Sequence, residues 1–277
     1  MQLILILLVI SSALTGVTYF FGNLYLNPFN YIALPFMVIG YVIGLFAIFV
    51  SILGIISFCV DINKEVKKPK PLLLWIIAQI CQIIFAFLRT KIVTKGINMI
   101  PKESRFLLVS NHRSALDHLL MVGKLNKYRL LSVTKPENEH LFVAGHLMHL
   151  CGFIPIDRDN PFNAMKAIIK ASNYIKNDEA SVAISPEGTR SKDGELLPFH
   201  PGSFKIATKS QCPLVVACLQ NCECIKKRFP KKKTTLYFDV LEVMSPLECS
   251  KHTTVELAEH SEKLIKDFLS SHKNRQL

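Results

Sequence analysis

The chain has 277 residues, with 33 Lys and Arg against 21 Asp and Glu, and a formal net charge of +12 at pH 7. This length accommodates one medium domain beside a membrane anchor. Residues 2–60 contain no Asp, Glu, Lys, Arg or His, so an apolar zone precedes a basic, globular zone. A net positive charge favours anionic partners. Because the sequence contains no nucleic-acid-binding motif, a lipid surface is a better candidate partner than nucleic acid.

The apolar zone contains two runs that predict transmembrane helices. Leu3–Phe21 is long enough for a hydrocarbon core, which requires about 20 residues. After a polar break at residues 23–30, Ile32–Val60 is a second spanning run. A signal peptide is the competing interpretation of the first run, but it would need a positive n-region, and only Met1 and Gln2 precede the run. We therefore predict a transmembrane hairpin over residues 1–62.

The stretch that follows is basic and then apolar again. Four lysines follow the second span within ten residues, and the positive-inside tendency places this side of the hairpin in the cytosol. Leu72–Leu88 is slightly short for a span and contains two glutamines. We expect it to lie in the membrane interface or to pack under the globular domain. Residues 63–100 are thus predicted to be a basic linker with an interfacial helix, and residues 101–277 a cytosolic domain.

Within that domain, short apolar segments alternate with segments of helical periodicity. The predicted strands are Phe106–Ser110, Leu130–Val133, Phe153–Ile156, Ser181–Ile184, Leu214–Leu219 and Thr235–Val243. The predicted helices are Ala115–Lys124, His140–Leu150, Pro161–Lys176, Ser203–Lys209 and Thr253–Ser271. This alternation predicts an α/β fold with a mixed, mostly buried sheet flanked by helices.

His112 and Asp117 follow the first predicted strand and are five positions apart. Such residues are about 140° apart on a helix and cannot share a face. They can meet if His112 lies in the loop and a helix begins at about Ser114, with Asp117 in a capping-box-like pair. Asp117 can then accept a proton from one imidazole nitrogen and leave the other free as a base. The alternative is that Asp117 only caps the helix and His112 is a loop residue.

A second block, Ser185-Pro186-Glu187-Gly188-Thr189-Arg190, follows the strand that ends at Ile184. Gly188 permits a tight turn, Thr189 and backbone N–H groups can donate to an oxyanion, and Arg190 can bind phosphate bidentately. Phosphate would repel Glu187, so we expect it to orient Arg190 or to bind a substrate hydroxyl. Taken alone, such a sequence is most often an ordinary turn.

The order and spacing of the two blocks resemble the PlsC-like glycerolipid acyltransferase family, which includes 1-acyl-sn-glycerol-3-phosphate acyltransferases. The first block corresponds to the HX4D motif of that family. The resemblance implies that His112 deprotonates a glycerol hydroxyl, that this hydroxyl attacks an acyl thioester, and that Asp117 orients the histidine. Ser185 departs from the Phe that commonly precedes the proline, a change expected to affect packing more than chemistry.

Weaker correspondences extend the resemblance to residues 105–220. Gly152–Arg158 resembles a block that ends in an arginine near the substrate phosphate, which makes Arg158 a candidate phosphate ligand, although a surface arginine is the alternative. Lys135 and Lys205 match basic positions of the family. Cys212–Val216 resembles a fourth block, a proline that opens an apolar strand.

Two further features leave alternatives open. Lys226–Lys233 has six basic residues out of eight. It is either a solvated loop or a site for anionic headgroups or for an acidic acyl donor. The eight cysteines do not form a disulfide framework, and Cys222-Glu223-Cys224 is a weak metal signal, so we expect reduced thiols and no metal site.

We therefore expect an enzyme that transfers a fatty acyl group from acyl-CoA or acyl carrier protein to the sn-2 hydroxyl of lysophosphatidic acid, giving phosphatidic acid. The expected chemistry requires no cofactor beyond the acyl donor. One alternative keeps the chemistry and changes the acceptor to another lysophospholipid, to glycerol-3-phosphate or to an aminolipid. Others are a hydrolase using the same dyad on water, and a non-catalytic, membrane-tethered lipid-binding protein.

Overall fold

The computed structural model describes residues 2–157, 160–191 and 194–275. Two apolar helices come first, α1 (Gln2–Phe21) and α2 (Leu34–Phe58), joined by 3-10 turns. Both are long and apolar enough to cross a membrane. They pack against each other, and Thr18 Oγ1 lies 2.7 Å from Tyr41 Oη between them. Most of their large apolar side chains are nevertheless exposed, as expected for helices whose outer surface faces lipid.

A third helix, α3 (Pro71–Phe87), belongs to the globular part of the chain. Leu74, Ala78, Cys81 and Phe85 are buried, and their spacing of three and four residues places them on one face. That face packs against the core and against α4 (Leu116–Lys124). Of the two environments predicted for residues 72–88, the structure shows packing under the globular domain.

A seven-stranded sheet forms the centre of the described residues. Its strands are β1 (Thr90–Lys95), β2 (Leu107–Ser110), β3 (Leu130–Thr134), β4 (Ile154–Pro155), β5 (Ser181–Ile184), β6 (Leu214–Gln220) and β7 (Thr234–Met244). The order across the sheet is β1-β7-β6-β2-β5-β3-β4. β6, β2, β5, β3 and β4 run parallel, whereas β7 is antiparallel to β6 and parallel to β1. The predicted mixed, buried α/β sheet is confirmed.

Helices cover both faces of the sheet. Besides α4, the described helices are α5 (Ala144–Cys151), α6 (Pro161–Lys176), α7 (Lys205–Ser210), α8 (Ile225–Arg228), α9 (Pro246–Cys249) and α10 (Thr254–Ser271). One face packs mainly on α6, α7 and α10, and the other on α4, α8 and the end of α3. All eight cysteines are free thiols.

Several elements differ from the sequence prediction, among them the short helices α8 and α9, which were not predicted. β1 was not predicted, yet it forms the edge of the sheet beside β7. α5 begins at Ala144, whereas the predicted helix began at His140, because residues 136–140 form a 3-10 turn and Val143 interrupts the helix with a positive φ of 63°. Since α3 and β1 contribute to the core and the sheet, structure continuous with the domain begins before residue 101. The division at residues 62, 63, 100 and 101 stays a prediction.

Candidate active site

The candidate residues lie at the carboxyl edge of the parallel strands, where open α/β sheets commonly bind ligands. The loop after β2 is fixed there by Asn111, whose side chain is buried. Asn111 Nδ2 donates to the carbonyl oxygen of Leu219 at 2.9 Å, and the Leu219 N–H donates back to Asn111 Oδ1 at 2.8 Å. This reciprocal pair holds the start of the loop against β6.

His112 and Asp117 are in contact. His112 Nδ1 lies 3.1 Å from Asp117 Oδ2, and the buried carboxylate also accepts from the backbone N–H groups of Arg113 at 2.8 Å and Ser114 at 2.7 Å. Because a carboxylate accepts, Nδ1 donates and Nε2 keeps its lone pair. α4 begins at Leu116, so His112 lies outside the helix as the geometry required. Asp117 therefore both ties down the loop and orients the imidazole.

Glu187 joins the two blocks. It is buried, and it accepts from the backbone N–H of His112 on Oε1 and from that of Leu197 on Oε2, at 2.9 Å. Burial raises the pKa of Glu187 above its usual 4.5, although the N–H groups of Leu197 and His112 act in the opposite direction. Both oxygens bind main chain, in place of the expected contact with Arg190 or a substrate hydroxyl.

The turn after Glu187 leaves its polar groups accessible. Gly188 has a φ of +79°, a conformation that glycine adopts without strain. Thr189 and Arg190 are exposed, and the Ser191 N–H donates to the carbonyl oxygen of His112 at 3.0 Å. The two sequence blocks thus form one site, with an oriented imidazole beside a turn that presents donors and a guanidinium.

The remaining predicted residues are less closely tied to the dyad. Lys135 directly follows β3, Lys205 is the first residue of α7, and both are exposed. The hydrogen bonds and ion pairs described for this part of the chain connect neither lysine to His112 or Glu187. Arg158 lies outside the described residues. The roles expected for these three cations stay predictions.

A second histidine, which the sequence reasoning missed, lies beside the first. The rings of His118 and His112 are edge to face, with centroids 5.0 Å apart. His118 Nδ1 lies 2.5 Å from Ser132 Oγ, and Nε2 lies 3.3 Å from Ser185 Oγ. Ser185, expected to affect packing, thus supplies a polar partner to the ring next to the candidate base. The available signal was Ser132 within one apolar strand and Ser185 directly after another.

Two more residues complete the surroundings of the dyad. Arg113 Nη2 donates to the carbonyl oxygen of Gly194, and Nη1 lies 3.5 Å from Glu223 Oε1, which connects the histidine loop to the segment after β6. Cys222 is buried in the same segment. Two effects raise the pKa of the Cys222 thiol well above 9.0. The larger is its burial, and the second is the negative charge of Asp117. Cys222 is therefore protonated at neutral pH and unsuited to act as a nucleophile.

Comparison with known proteins identifies this arrangement. The family model described as Acyltransferase matches residues 91–220. Residues 91–220 form an acyltransferase domain of the PlsC-like family. The match includes β1, the dyad and the turn after β5, and it ends with β6.

Curated relatives and a solved structure are similar to this chain. The human 1-acyl-sn-glycerol-3-phosphate acyltransferase alpha is 31% identical over 141 residues, 50% of this chain and 50% of the relative. A chloroplastic 1-acyl-sn-glycerol-3-phosphate acyltransferase of Brassica napus is 35% identical over 142 residues, 50% of this chain and 39% of the relative. In these matches the chain spans about half the length of its relatives or less. The crystal structure of the 1-acyl-sn-glycerophosphate acyltransferase PlsC from Thermotoga maritima superimposes with a TM-score of 0.61 at 20% identity, covering 97% of this chain and 95% of that one. That likeness shows that the acyltransferase domain and the helices before it share the PlsC fold.

Proposed function

We propose that this acyltransferase transfers a fatty acyl group from an acyl thioester to the sn-2 hydroxyl of lysophosphatidic acid, giving phosphatidic acid. The observation that carries the proposal is the His112–Asp117 contact, which occupies Nδ1 and not Nε2, in a loop whose backbone is hydrogen-bonded to Glu187 and Ser191 on either side of Thr189 and Arg190. The relatives are named 1-acyl-sn-glycerol-3-phosphate acyltransferases, which supports this acceptor.

The proposed chemistry is direct transfer with His112 as general base. Nε2 accepts the proton of the acceptor hydroxyl while its oxygen forms a bond to the thioester carbonyl carbon. Asp117 stabilises the imidazolium that results, since its carboxylate faces Nδ1. Collapse of the tetrahedral intermediate breaks the carbon–sulfur bond, and the imidazolium returns the proton to the thiolate that leaves. No acyl-enzyme is required, in keeping with a protonated Cys222.

The acceptor phosphate is proposed to bind at the turn after β5. Arg190 offers a planar, charged donor pair, and Thr189 with the backbone N–H groups of the turn adds further donors. Arg158, Lys135 and Lys205 are proposed as additional phosphate-side cations. Acyl-CoA and acyl carrier protein are the two candidate donors, and both are anionic, which suits the basic run of residues 226–233.

The site is proposed to work at the cytosolic surface of a membrane. α1 and α2 would span the bilayer, and the lysines that follow α2 would stay on the cytosolic side. A lysolipid in the same leaflet then reaches the site without leaving the membrane surface.

The test is a product assay with a matched variant. Purified protein receives labelled acyl-CoA or acyl carrier protein together with a panel of lysolipids and glycerol-3-phosphate, and products are resolved by mass. His112→Ala should lower the transfer rate by about 10²–10⁴-fold or more. His260→Ala is the control and should leave the transfer rate unchanged. It removes an exposed histidine that pairs with Glu242 and takes no part in the proposed mechanism. Full activity of His112→Ala would refute the mechanism, and free fatty acid without acylated acceptor would identify a hydrolase.

A further inference from the structure

The loop between β3 and α5 carries two large apolar side chains in an exposed position. Leu141 is 52% exposed and Phe142 is 67% exposed. The loop begins at Lys135, directly after β3, and thus starts at the active-site edge of the sheet. The function proposed so far uses neither side chain. An exposed pair of this size is costly in water, which raises the question of what covers it.

The backbone holds this pair in a constrained conformation. Val143 has φ 63° and ψ −64°, and the Ala144 N–H donates to the Phe142 carbonyl oxygen at 2.8 Å, which together define a γ-turn of the rare, strained kind. Gly145 packs so closely that an added Cβ would lie 2.2 Å from the Asn138 carbonyl oxygen. Strain of this kind persists only where the surrounding structure enforces it. The backbone that carries Leu141 and Phe142 is therefore held in one conformation by its surroundings.

The loop is anchored on the end of the second apolar helix. The Val143 N–H donates to Ser57 Oγ at 3.0 Å, and His146 Nδ1 lies 2.8 Å from the carbonyl oxygen of Ser57. Ser57 is in the last turn of α2 and is fully buried by these contacts. Its neighbour Phe58 is 83% exposed, and Ile55, one turn earlier, is 65% exposed. The loop thus extends an apolar surface that α2 already presents.

We propose that Leu141 and Phe142 insert into the lipid bilayer, at the acyl-chain boundary beside the end of α2, and form an apolar wedge at the membrane side of the active site. The occupant is the bilayer, because the wedge is continuous with a helix whose exposed apolar surface has the length of a membrane span. The wedge places lipid against the loop that leaves β3 at the catalytic edge. Its catalytic consequence, delivery of the lysolipid acceptor, rests on the proposed function, whereas insertion itself rests on the placement of α2 in the membrane.

Insertion is tested by fluorescence, independently of activity. The chain has one Trp, so Phe142→Trp in a Trp75→Phe background gives a single probe. In phosphatidylcholine vesicles with brominated acyl chains, its emission should be quenched strongly. Leu247→Trp in the same background is the control, because Leu247 is 70% exposed on α9. Quenching at residue 142 no greater than at residue 247 would overturn the proposal. Thermal unfolding of both variants beside the parent protein checks the fold.

The catalytic consequence is tested with two substrates. Leu141→Ser/Phe142→Ser should lower kcat/KM on long-chain lysophosphatidic acid in vesicles by about 10-fold or more, through KM. It should leave activity on a short-chain, water-soluble lysophosphatidic acid unchanged, and Leu247→Ser should change neither. Equal loss on both substrates would show a structural role, and no loss would show that the wedge is not used; either result refutes lipid delivery. If the parent protein acylates neither substrate, the proposed function fails, while the quenching measurement still decides insertion.

Discussion

At the scale of single residues, one carboxylate oxygen determines the state of the candidate base. Asp117 Oδ2 faces three N–H groups, one of them Nδ1 of His112. In Asp117→Asn the amide offers one acceptor oxygen and an NH₂ group that donates. The backbone donors then compete with the imidazole, and the proton on Nδ1 is no longer specified. We predict that kcat falls by about 10²–10⁴-fold with little change in acceptor KM.

Steady-state kinetics with thermal unfolding tests this prediction. Unfolding separates a catalytic loss from a folding defect, since Asp117 also ties down the loop before α4. An unchanged kcat in a folded variant would mean that Asp117 serves only to fix the loop before α4.

Glu187 allows a prediction with a defined pH dependence. Its pKa is raised by burial, so the folded protein holds this proton more tightly than the unfolded chain does. The stability that Glu187 contributes is therefore fully present below pH 4.5 and is lost as the pH rises through the folded-state pKa. Glu187→Gln mimics the protonated form. It should be at least as stable as the parent protein at pH 7.5, with the difference in its favour growing from pH 4.5 upward.

The same substitution should lower activity several-fold, because an amide has only one acceptor oxygen, so one of the two backbone N–H groups, of His112 or Leu197, loses its acceptor. Denaturant unfolding at several pH values and kinetics at pH 7.5 are the measurements. Destabilisation at pH 7.5 by more than about 1 kcal/mol would show that the two hydrogen bonds outweigh the cost of burial.

At the scale of secondary-structure elements, sequence reasoning worked where the signal is local. β5 and α6 have the predicted bounds, because a continuous apolar run defines the strand, and Asn160 caps a helix that begins with Pro161. β1 was missed because Thr90–Lys95 is half-exposed and rich in Thr and Lys. Its partner, β7, begins more than a hundred residues later. No window of sequence around β1 contains that information.

The candidate site shows the same division. The geometry of His112 and Asp117 follows from helix periodicity and was predicted. The contacts of Glu187 and His118 were not, since they depend on how the ends of β2, β3 and β5 meet at one edge of the sheet. Interactions between loops that lie on neighbouring strands require the sheet order, and the sequence pattern does not contain it.

The turn before α5 provides a prediction at this scale. Gly145→Ala would place a Cβ 2.2 Å from the Asn138 carbonyl oxygen and 2.5 Å from that of Glu139. Because these are backbone atoms, the loop or α5 must move. We predict a loss of stability of about 1–3 kcal/mol, measured by thermal or denaturant unfolding. Gly202→Ala is the matched control, since nothing lies within 4 Å of its added Cβ. Equal stability of both variants would show that the turn is not enforced by packing.

At the scale of the whole molecule, the apolar hairpin is joined to the acyltransferase domain at both of its ends. At the start of α1, Gln2 Oε1 accepts from Trp75 Nε1 at 3.0 Å, and the Leu3 N–H donates to Gln79 Oε1 at 3.3 Å. At the end of α2, Ser57 contacts the turn before α5. If the hairpin lies in a membrane, these two attachments would restrict the tilt of the domain on its surface. The height of the candidate active-site edge above that membrane would then be fixed by the fold.

Crossing of the membrane by the hairpin can be tested through cysteine labelling. Cys59 is exposed at the end of α2, whereas burial raises the pKa of Cys81 and of Cys151 to about 12. Maleimides react with thiolates, so these buried thiols stay unmodified at neutral pH. If α1 and α2 span the bilayer, the turn that contains Tyr25 lies on the opposite side from Cys59.

In a Cys224→Ser background, a membrane-impermeant maleimide should therefore label Cys59 in inverted vesicles, in which the cytosolic surface faces outward. Tyr25→Cys in a Cys59→Ser/Cys224→Ser background, which also lacks the partly exposed thiol of Cys224, should be labelled only when that orientation is reversed, because Tyr25 is itself exposed. Permeabilised vesicles control for reactivity and should give labelling at both positions. Labelling of both positions from the cytosolic side of sealed vesicles would show that the hairpin enters and leaves by the same leaflet. That result would leave the proposed insertion of Leu141 and Phe142 intact. The depth of these side chains is set by the contact of their loop with Ser57 at the end of α2, and not by the side of the bilayer on which Tyr25 lies.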